Sequence, residues 1–171
     1  MVHRKLQLNH RDLLMKFLVR HGNSAVRLAT PTDLGVCVEF ELLDEFGCLT
    51  KLDSQIIEAN INVGGVFLAE RRKKIVGYAS LNFLYASRTP LLSWWYVVPE
   101  HRGCGIGGLL LCAVDQYLTG LGFDRLLISA CREREITRHR AHGLREMGYL
   151  DLGDNEHEIF FEKLLNNARG N

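Results

Sequence analysis

One mixed α/β (α+β) domain, its mostly antiparallel sheet flanked by helices, is the architecture this sequence predicts. Three observations predict it. Short β-rich runs and helical periodicities alternate in the order β-α-α-β-β-β-α-β-α-β-β, behind an extra N-terminal helix. At 171 residues and 47% hydrophobic content, the chain can bury one sizeable core and is short for two. A glycine cluster (Gly103, Gly105, Gly107 and Gly108) joins a strand directly to the chain's most periodic helix.

The elements follow in order. In NHRDLLMKFLVRHG, Asn9 is a cap, Asp12 follows three residues later, and Leu13, Leu14, Phe17 and Leu18 share one face before Gly22. This predicts an amphipathic helix, packed on the domain or on a second copy, within an N-terminal extension over 1–24. AVRLAT is a strand, and TPTDLGVCVEFELLDEF a helix started by Thr32 or Asp33 and ended before Gly47. A second helix is expected over Asp53 to Ile61. GVFLAE and IVGYASLNFLYA are β-rich and separated by RRKK, which reads as a hairpin turn. PLLSWWYVV is the next strand, stopped by Pro99.

After the glycines, Ile106, Leu109, Leu110, Ala113, Val114, Tyr117, Leu118 and Leu121 recur at helical spacing until Gly122. DRLLISAC is a buried strand. A helix from about Arg138 to Met147 follows, with Thr137 as its cap and Gly148 behind it. YLDLG and HEIFFEKL close the domain as two strands around Asp154 and Asn155. The domain is expected to span 25–165, with a tail over 166–171.

Charge and cysteines exclude several classes. With 21 Lys+Arg against 20 Asp+Glu, the formal charge is +1, so no global field favours nucleic acid or an anionic membrane. Five scattered cysteines (Cys37, Cys48, Cys104, Cys112 and Cys131) lack any CxxC spacing and read as free thiols, with no metal site. No apolar run approaches membrane-spanning length. A cytoplasmic protein is the expectation.

The glycine turn points to a phosphate-bearing ligand. The first N–H groups of a helix lack internal partners and carry the positive end of the helix dipole. Glycines let the main chain approach phosphate oxygens and adopt positive φ, and Arg102 adds a cation beside them. A Walker loop is excluded, because Leu109, not Lys-Ser or Lys-Thr, follows the final glycine. Gly103, Gly105 and Gly108 do match G-x-G-x-x-G, but antiparallel strands precede them and no ribose-binding carboxylate ends DRLLISAC. A pyrophosphate is the group this turn suits.

Arg102-Gly-Cys-Gly105-Ile-Gly107, preceded by Tyr96-Val-Val-Pro99, resembles the R-x-x-G-x-G/A signature of the GNAT superfamily of acetyl-CoA-dependent N-acetyltransferases. The likeness covers nearly the whole chain beyond residue 24. It implies a GNAT-like fold and acetyl-CoA as co-substrate. Its pyrophosphate would lie on Arg102, Gly103, Cys104, Gly105, Ile106, Gly107 and Gly108, and its pantetheine between the strand carrying Tyr96, Val97 and Val98 and DRLLISAC. A backbone N–H near Val97 or Val98 would polarise the thioester carbonyl. Thr137 stands where many relatives have a pantetheine-contacting asparagine, although a capping role accounts for it equally.

The sequence departs from the family at the proton-handling groups. The strand Ser93-Trp94-Trp95-Tyr96 carries no carboxylate, and the nearest substitutes are Glu41, Asp44 and Glu45 on the first domain helix. Helix faces normally carry such charges in solvent, so the base stays unassigned. The family's usual tyrosine position is Leu144, four residues before Gly148, leaving His142 or water as proton donor. Arg132, Arg134, Arg138 and Arg140 make REREITRHR locally basic, yet Glu133 and Glu135 alternate with them as on a solvated surface.

The resemblance therefore implies acetyl transfer from acetyl-CoA to a primary amine of a small molecule in a ternary complex. Two other readings stay open. One is a CoA-binding module without turnover, and the other is acetylation of a macromolecule such as a protein N-terminus or aminoacyl-tRNA. A homodimer is in keeping with the family.

Overall fold

The computed structural model describes residues 18–43, 51–85, 89–153 and 156–165. The chain forms two compact units. The first takes the chain up to Ala79 together with Tyr96–Ala113, and the second takes Ser80–Trp95 with the chain from Val114 onward.

In the first unit β1 (Val19–His21), β2 (Ser24–Leu28), β3 (Val66–Arg71) and the start of β4 (Lys74–Leu84) follow one another across the sheet. β1 pairs with β2, and β2 with β3, both antiparallel. Val19–His21 therefore corrects the sequence reading. These residues lie in a strand that turns at Gly22 (φ 55), while the remainder of the predicted N-terminal helix lies outside the described residues. The register Val19↔Val26 explains the reversal, because sheet pairing overrides the local helical spacing.

A 3-10 turn at Pro31–Asp33 leads into α1 (Leu34–Leu42), and α2 is Lys51–Asn62. The start is held by a capping box, with Thr30 N–H and Oγ1 both bonded to Asp33 Oδ2 at 2.8 and 2.7 Å. Arg27 in β2 clamps this corner, donating to Asp33 at 2.8 and 2.9 Å and to Glu70 on β3 at 2.6 Å. Asp33 is pulled down to about 2 mainly by the Arg27 hydrogen bonds, against the opposing effect of burial. The RRKK hairpin is borne out, with Arg72 and Lys73 both at positive φ (51 and 66) as a tight primed turn requires.

In the second unit the strand order is β4, β5 (Thr89–Val97), β6 (Arg125–Ala130), β8 (Glu156–Leu164), β7 (Arg145–Gly153). β5 and β6 run parallel, while β6/β8 and β7/β8 are antiparallel. Helix α3 (Ile106–Leu121) is the predicted post-glycine helix, and Gly122 (φ 91) ends it. Its apolar face is buried: Ile106, Leu110, Ala113, Val114 and Leu118 are at most 3% exposed. The expected mixed, mostly antiparallel architecture with flanking helices is what the chain forms.

The last helix is placed differently from the sequence reading. α4 covers Glu133–Ala141 with Arg132 at its cap, and Gly143 (φ 69), not Gly148, ends it. Residues 145–147, expected in helix, belong to β7. Register pairs from Arg145↔Glu162 onward extend the terminal hairpin at the helix's expense.

Candidate functional site

Three features of the first unit build the anion site. Val97 ends β5, Pro99–His101 makes one 3-10 turn, and α3 begins at Ile106. The Leu109 N–H bonds to Gly105 O at 3.0 Å, so the helix N-terminus begins directly behind the glycines. Gly103 and Gly105 both hold positive φ (74 and 79), and an added Cβ at either would meet nothing within 4 Å. Glycine is thus required by backbone conformation, and the space above the turn is open to a ligand. Open backbone with a helix N-terminus behind it is a setting in which phosphate oxygens can be accommodated.

Gly77 on β4 positions the helix. A Cβ there would fall 3.1 Å from Leu110 Cδ1 and 3.2 Å from both Ile106 Cγ2 and Ala69 Cβ. The first two turns of α3 therefore rest directly on the strand backbone. Arg102 braces the turn from the other side, donating from Nε to the Val97 carbonyl at 2.8 Å with its guanidinium over the Tyr96 ring at 5.2 Å. The Val98 amide donates to the Val76 carbonyl at 3.1 Å. This corrects one sequence expectation: that N–H holds β5 to β4 and is not a donor left over for a thioester carbonyl.

Glu41 is buried, at 9% exposure, rather than solvated on its helix. Its Oε1 accepts a 2.6 Å hydrogen bond from the Tyr78 hydroxyl. Burial pushes the carboxyl up, the Tyr78 bond draws it partway back, and the charge of Asp53 raises it again. Phe40 stacks on Tyr78 (centroids 5.8 Å apart) and meets the Tyr96 ring edge-on at 6.1 Å. Glu41 is thereby tied through rings to the strand end that precedes the glycine turn. A carboxyl so raised and held is suited to exchange a proton with an amine. Asp44 and Glu45 lie outside the described residues.

In the second unit, pairing between β5 and β6 is confined to Leu91↔Leu127 and Leu92↔Ile128 among the described residues. Beyond Leu92, Ser93 binds back into its own side of the sheet: Asn82 Nδ2 donates to Ser93 Oγ at 2.7 Å, and Ser93 Oγ donates to Ser80 O at 3.3 Å. On its other side β6 stays paired with β8 throughout, from Arg125↔Leu164 to Ala130↔Ile159. The two parallel strands thus part company at Ser93, as expected for a slot between them.

Of the residues assigned to α4, Thr137 is neither a cap nor buried. It is exposed in mid-helix, its Oγ1 donating to Glu133 Oε1 at 3.2 Å. His142 is an exposed residue at the helix C-cap. The buried histidine is His139, 5% exposed, which the sequence reading missed. Its ring stacks on Trp95 (6.0 Å, 4° between planes) and meets Phe161 edge-on at 5.3 Å. Its spacing from the buried Ile136, three residues earlier, was the available signal. Leu144 packs on the cluster of Ala130, Ile136 and Phe161. Of the basic run, Arg132 pairs with Glu135 at 3.8 Å and Arg140 with Glu146 at 2.9 Å.

Among the described residues no group of His, Cys, Asp or Glu could hold a metal, and no helix is long and apolar enough to cross a membrane. Cys37, Cys104, Cys112 and Cys131 are free thiols.

Comparison with known proteins agrees with this geometry. The profile of the acetyltransferase (GNAT) family matches residues 38–149. An aminoglycoside N(6')-acetyltransferase type 1 from Stenotrophomonas maltophilia is 30% identical over 128 residues, covering 68% of this chain and 81% of that protein. An amino-acid acetyltransferase from Pasteurella multocida is 25% identical over 155 residues, covering 90% of this chain but only 34% of that longer protein. The fold matches that of yncA from Salmonella typhimurium, solved with its cofactor acetyl-CoA. There the TM-score is 0.65 and the identity 19%, over 87% of this chain and 98% of that one. With the strand, glycine turn and helix in place and the profile spanning most of the domain, the chain belongs to the GNAT family of acetyltransferases.

Proposed function

We propose that the protein transfers the acetyl group of acetyl-CoA to a primary amine of a small molecule, by direct attack within a ternary complex. The observation that carries this reading is the glycine turn, open above Gly103 and Gly105 at the start of α3. Backbone donors from Gly103 to Gly108 would hold the pyrophosphate, with Arg102 bracing them against Tyr96. Tyr96 and Val97 would flank the pantetheine arm. When bound, acetyl-CoA supplies an activated acyl group whose thiolate leaves readily. The chain's own contribution is to hold that group still beside the acceptor, which can remove roughly 7–11 kcal/mol of barrier.

Glu41 is the carboxyl for the acceptor. A small amine suits a buried acid edged by aromatic rings, since an ammonium binds both. The aminoglycoside and amino-acid acetyltransferases among the relatives act on small amines by name, which supports the same class. The near-neutral net charge is consistent with a metabolite rather than a nucleic acid, and the free thiols with a cytoplasmic setting.

The test uses isotopically labelled acetyl-CoA with a pooled amine extract, read by mass spectrometry. A labelled small-molecule product with the intact protein, and none with Gly105→Glu, is the expected result. Label found only on polypeptide would replace this reading with protein acetylation. Tight acetyl-CoA binding with no label anywhere would replace it with a binding module.

A further inference from the structure

In the second unit the helices cover only one face of the sheet. Along β8, Phe161 packs with Ile136 of α4, and Lys163 pairs with Asp115 of α3. The alternate residues, Glu156, Glu158, Phe160, Glu162 and Leu164, therefore point to the opposite side. Register sets their neighbours there. Leu150, Gly148 and Arg145 of β7 stand opposite Glu158, Phe160 and Glu162, and Arg125 of β6 stands opposite Leu164. A sheet face left to water normally carries polar residues. This one exposes Leu150 at 52% and Leu164 at 68%, with Phe160 half-buried between their positions. Apolar surface rimmed by charge marks a place of interaction.

Glu162 shows how the face is prepared. Its side chain is 3% exposed, although neither α3 nor α4 lies over it, because two arginines close it in. Arg125 Nη1 donates to its Oε1 at 3.2 Å, and Arg145 Nε donates to its Oε2 at 3.0 Å. Arg125 also spends Nε on Asp124 at 3.2 Å, and Arg145 spends Nη2 on Glu162. That leaves Arg125 Nη2 and Arg145 Nη1 unused among the described residues, on side chains still 50% and 66% exposed. Guanidiniums held in place beforehand meet a carboxylate at little cost in side-chain freedom. At the other end of β8 stand Glu156 and Glu158, with no ion-pair partner among the described residues.

The face thus offers guanidinium donors at one end, carboxylates at the other and apolar side chains between. We infer that a second copy of the chain docks on it, the two copies related by a twofold axis that crosses β8 at Phe160. A twofold contact lays one patch on itself, so the patch must be complementary to its own reverse. Reversal about Phe160 carries position 158 onto 162 and position 156 onto 164. The partner's Glu158 then faces Arg145 beside Glu162, and the partner's Glu156 faces Arg125 beside Leu164. At about 3.3 Å per residue, these pairs lie roughly 7 and 13 Å from the axis. The two Phe160 rings meet at the axis, with room beside them, since a Cβ on Gly148 would touch nothing within 4 Å.

Edge-on pairing is the other contact open to β7, the last strand of the sheet. Its ladder is interrupted twice, between Glu146 and Gly148 and between Asp151 and Gly153, and such bulges bend an edge out of regular pairing. The contact is therefore face to face, with the two sheets about 10 Å apart.

Sedimentation equilibrium of the full chain across about 1–100 µM, at low and at physiological salt, tests this. The wild type should be a dimer that loosens as salt rises. Leu150→Asp and Leu164→Asp change exposed positions, so they should keep the wild-type circular dichroism while weakening association on the order of 100-fold. Glu158→Ala should weaken it roughly 2–30-fold, because the pair occurs twice, and should flatten its salt dependence, which a loss of fold would not do. A chain still monomeric at the highest concentration would overturn the inference. A dimer that survives both aspartate variants would overturn it too, by placing the contact elsewhere, as would an unchanged salt dependence in Glu158→Ala. No acetyl-CoA or acceptor enters the measurement, so its outcome is independent of the acetyltransferase reading.

Discussion

Gly77→Ala tests how the anion site is held in place. The new Cβ would lie 3.1 Å from Leu110 Cδ1 and 3.2 Å from Ile106 Cγ2, where carbon contacts settle at about 3.5–4.0 Å. Leu110 can swing its Cδ1 aside, but Ile106 is β-branched and stiff, and Ala69 Cβ (also 3.2 Å away) is fixed to β3. α3 must therefore recede from β4 by a few tenths of an ångström. Overpacking of this kind costs about 1–3 kcal/mol. In a chain of this length each kcal/mol lowers the midpoint by roughly 2–4 °C, so the variant should melt roughly 2–12 °C below wild type. With the pyrophosphate proposed to lie on the first turn of α3, acetyl-CoA affinity should drop as well. Circular dichroism melting and calorimetric titration read the two effects. A variant that melts within about 1 °C of wild type would refute the claim that Gly77 sets the helix position.

Two further outcomes follow from the buried charges. Asp33, held at about 2 in the fold against 3.8 when free, contributes about 2 kcal/mol at neutral pH. A lowered carboxylate pKa stabilises above the free value, and this contribution is lost as pH falls from about 4 towards 2. Asp33→Asn should therefore be less stable at pH 7 and show a shallower loss of stability on acidification, measured by urea unfolding across pH. Tyr78→Phe removes the hydrogen bond that lowers Glu41, so the Glu41 carboxyl should titrate higher still. If Glu41 acts as a base, the acidic limb of the pH–rate profile should move upward in pH. An unmoved limb would remove Glu41 from the proton chemistry.

Much of this was legible in the residues. The glycine turn could be read because its function is a backbone property: Gly103 and Gly105 have positive φ, and sequence records that demand directly. The hairpin at Arg72 and Lys73 was legible from the β-rich runs around it, although neither residue is a usual turn former. Other features depend on partners distant in sequence. Val19–His21 carries helical spacing yet becomes a strand because Val26 and its neighbours pair with it. Two glycines, Gly143 and Gly148, both offered an end for the last helix, and pairing with β8 selected the earlier one. The burial of Glu41 follows from Tyr78, 37 positions away, and that of His139 from Trp95 and Phe161. Those contacts are made with residues far off in the chain, which is why the surroundings of these two side chains were the least legible feature.

The Arg72–Lys73 turn bears on how this chain can evolve. Both residues hold a left-handed backbone that side chains adopt at a cost, which an Asn-Gly pair would remove. The turn is thus an untapped reserve of stability, lying outside the residues assigned here to cofactor or proton. Substitutions that reshape the acceptor region for a new amine commonly weaken a fold by about 1 kcal/mol each. Two changes in this hairpin could compensate such a step, letting specificity drift without carrying the chain below its folding threshold.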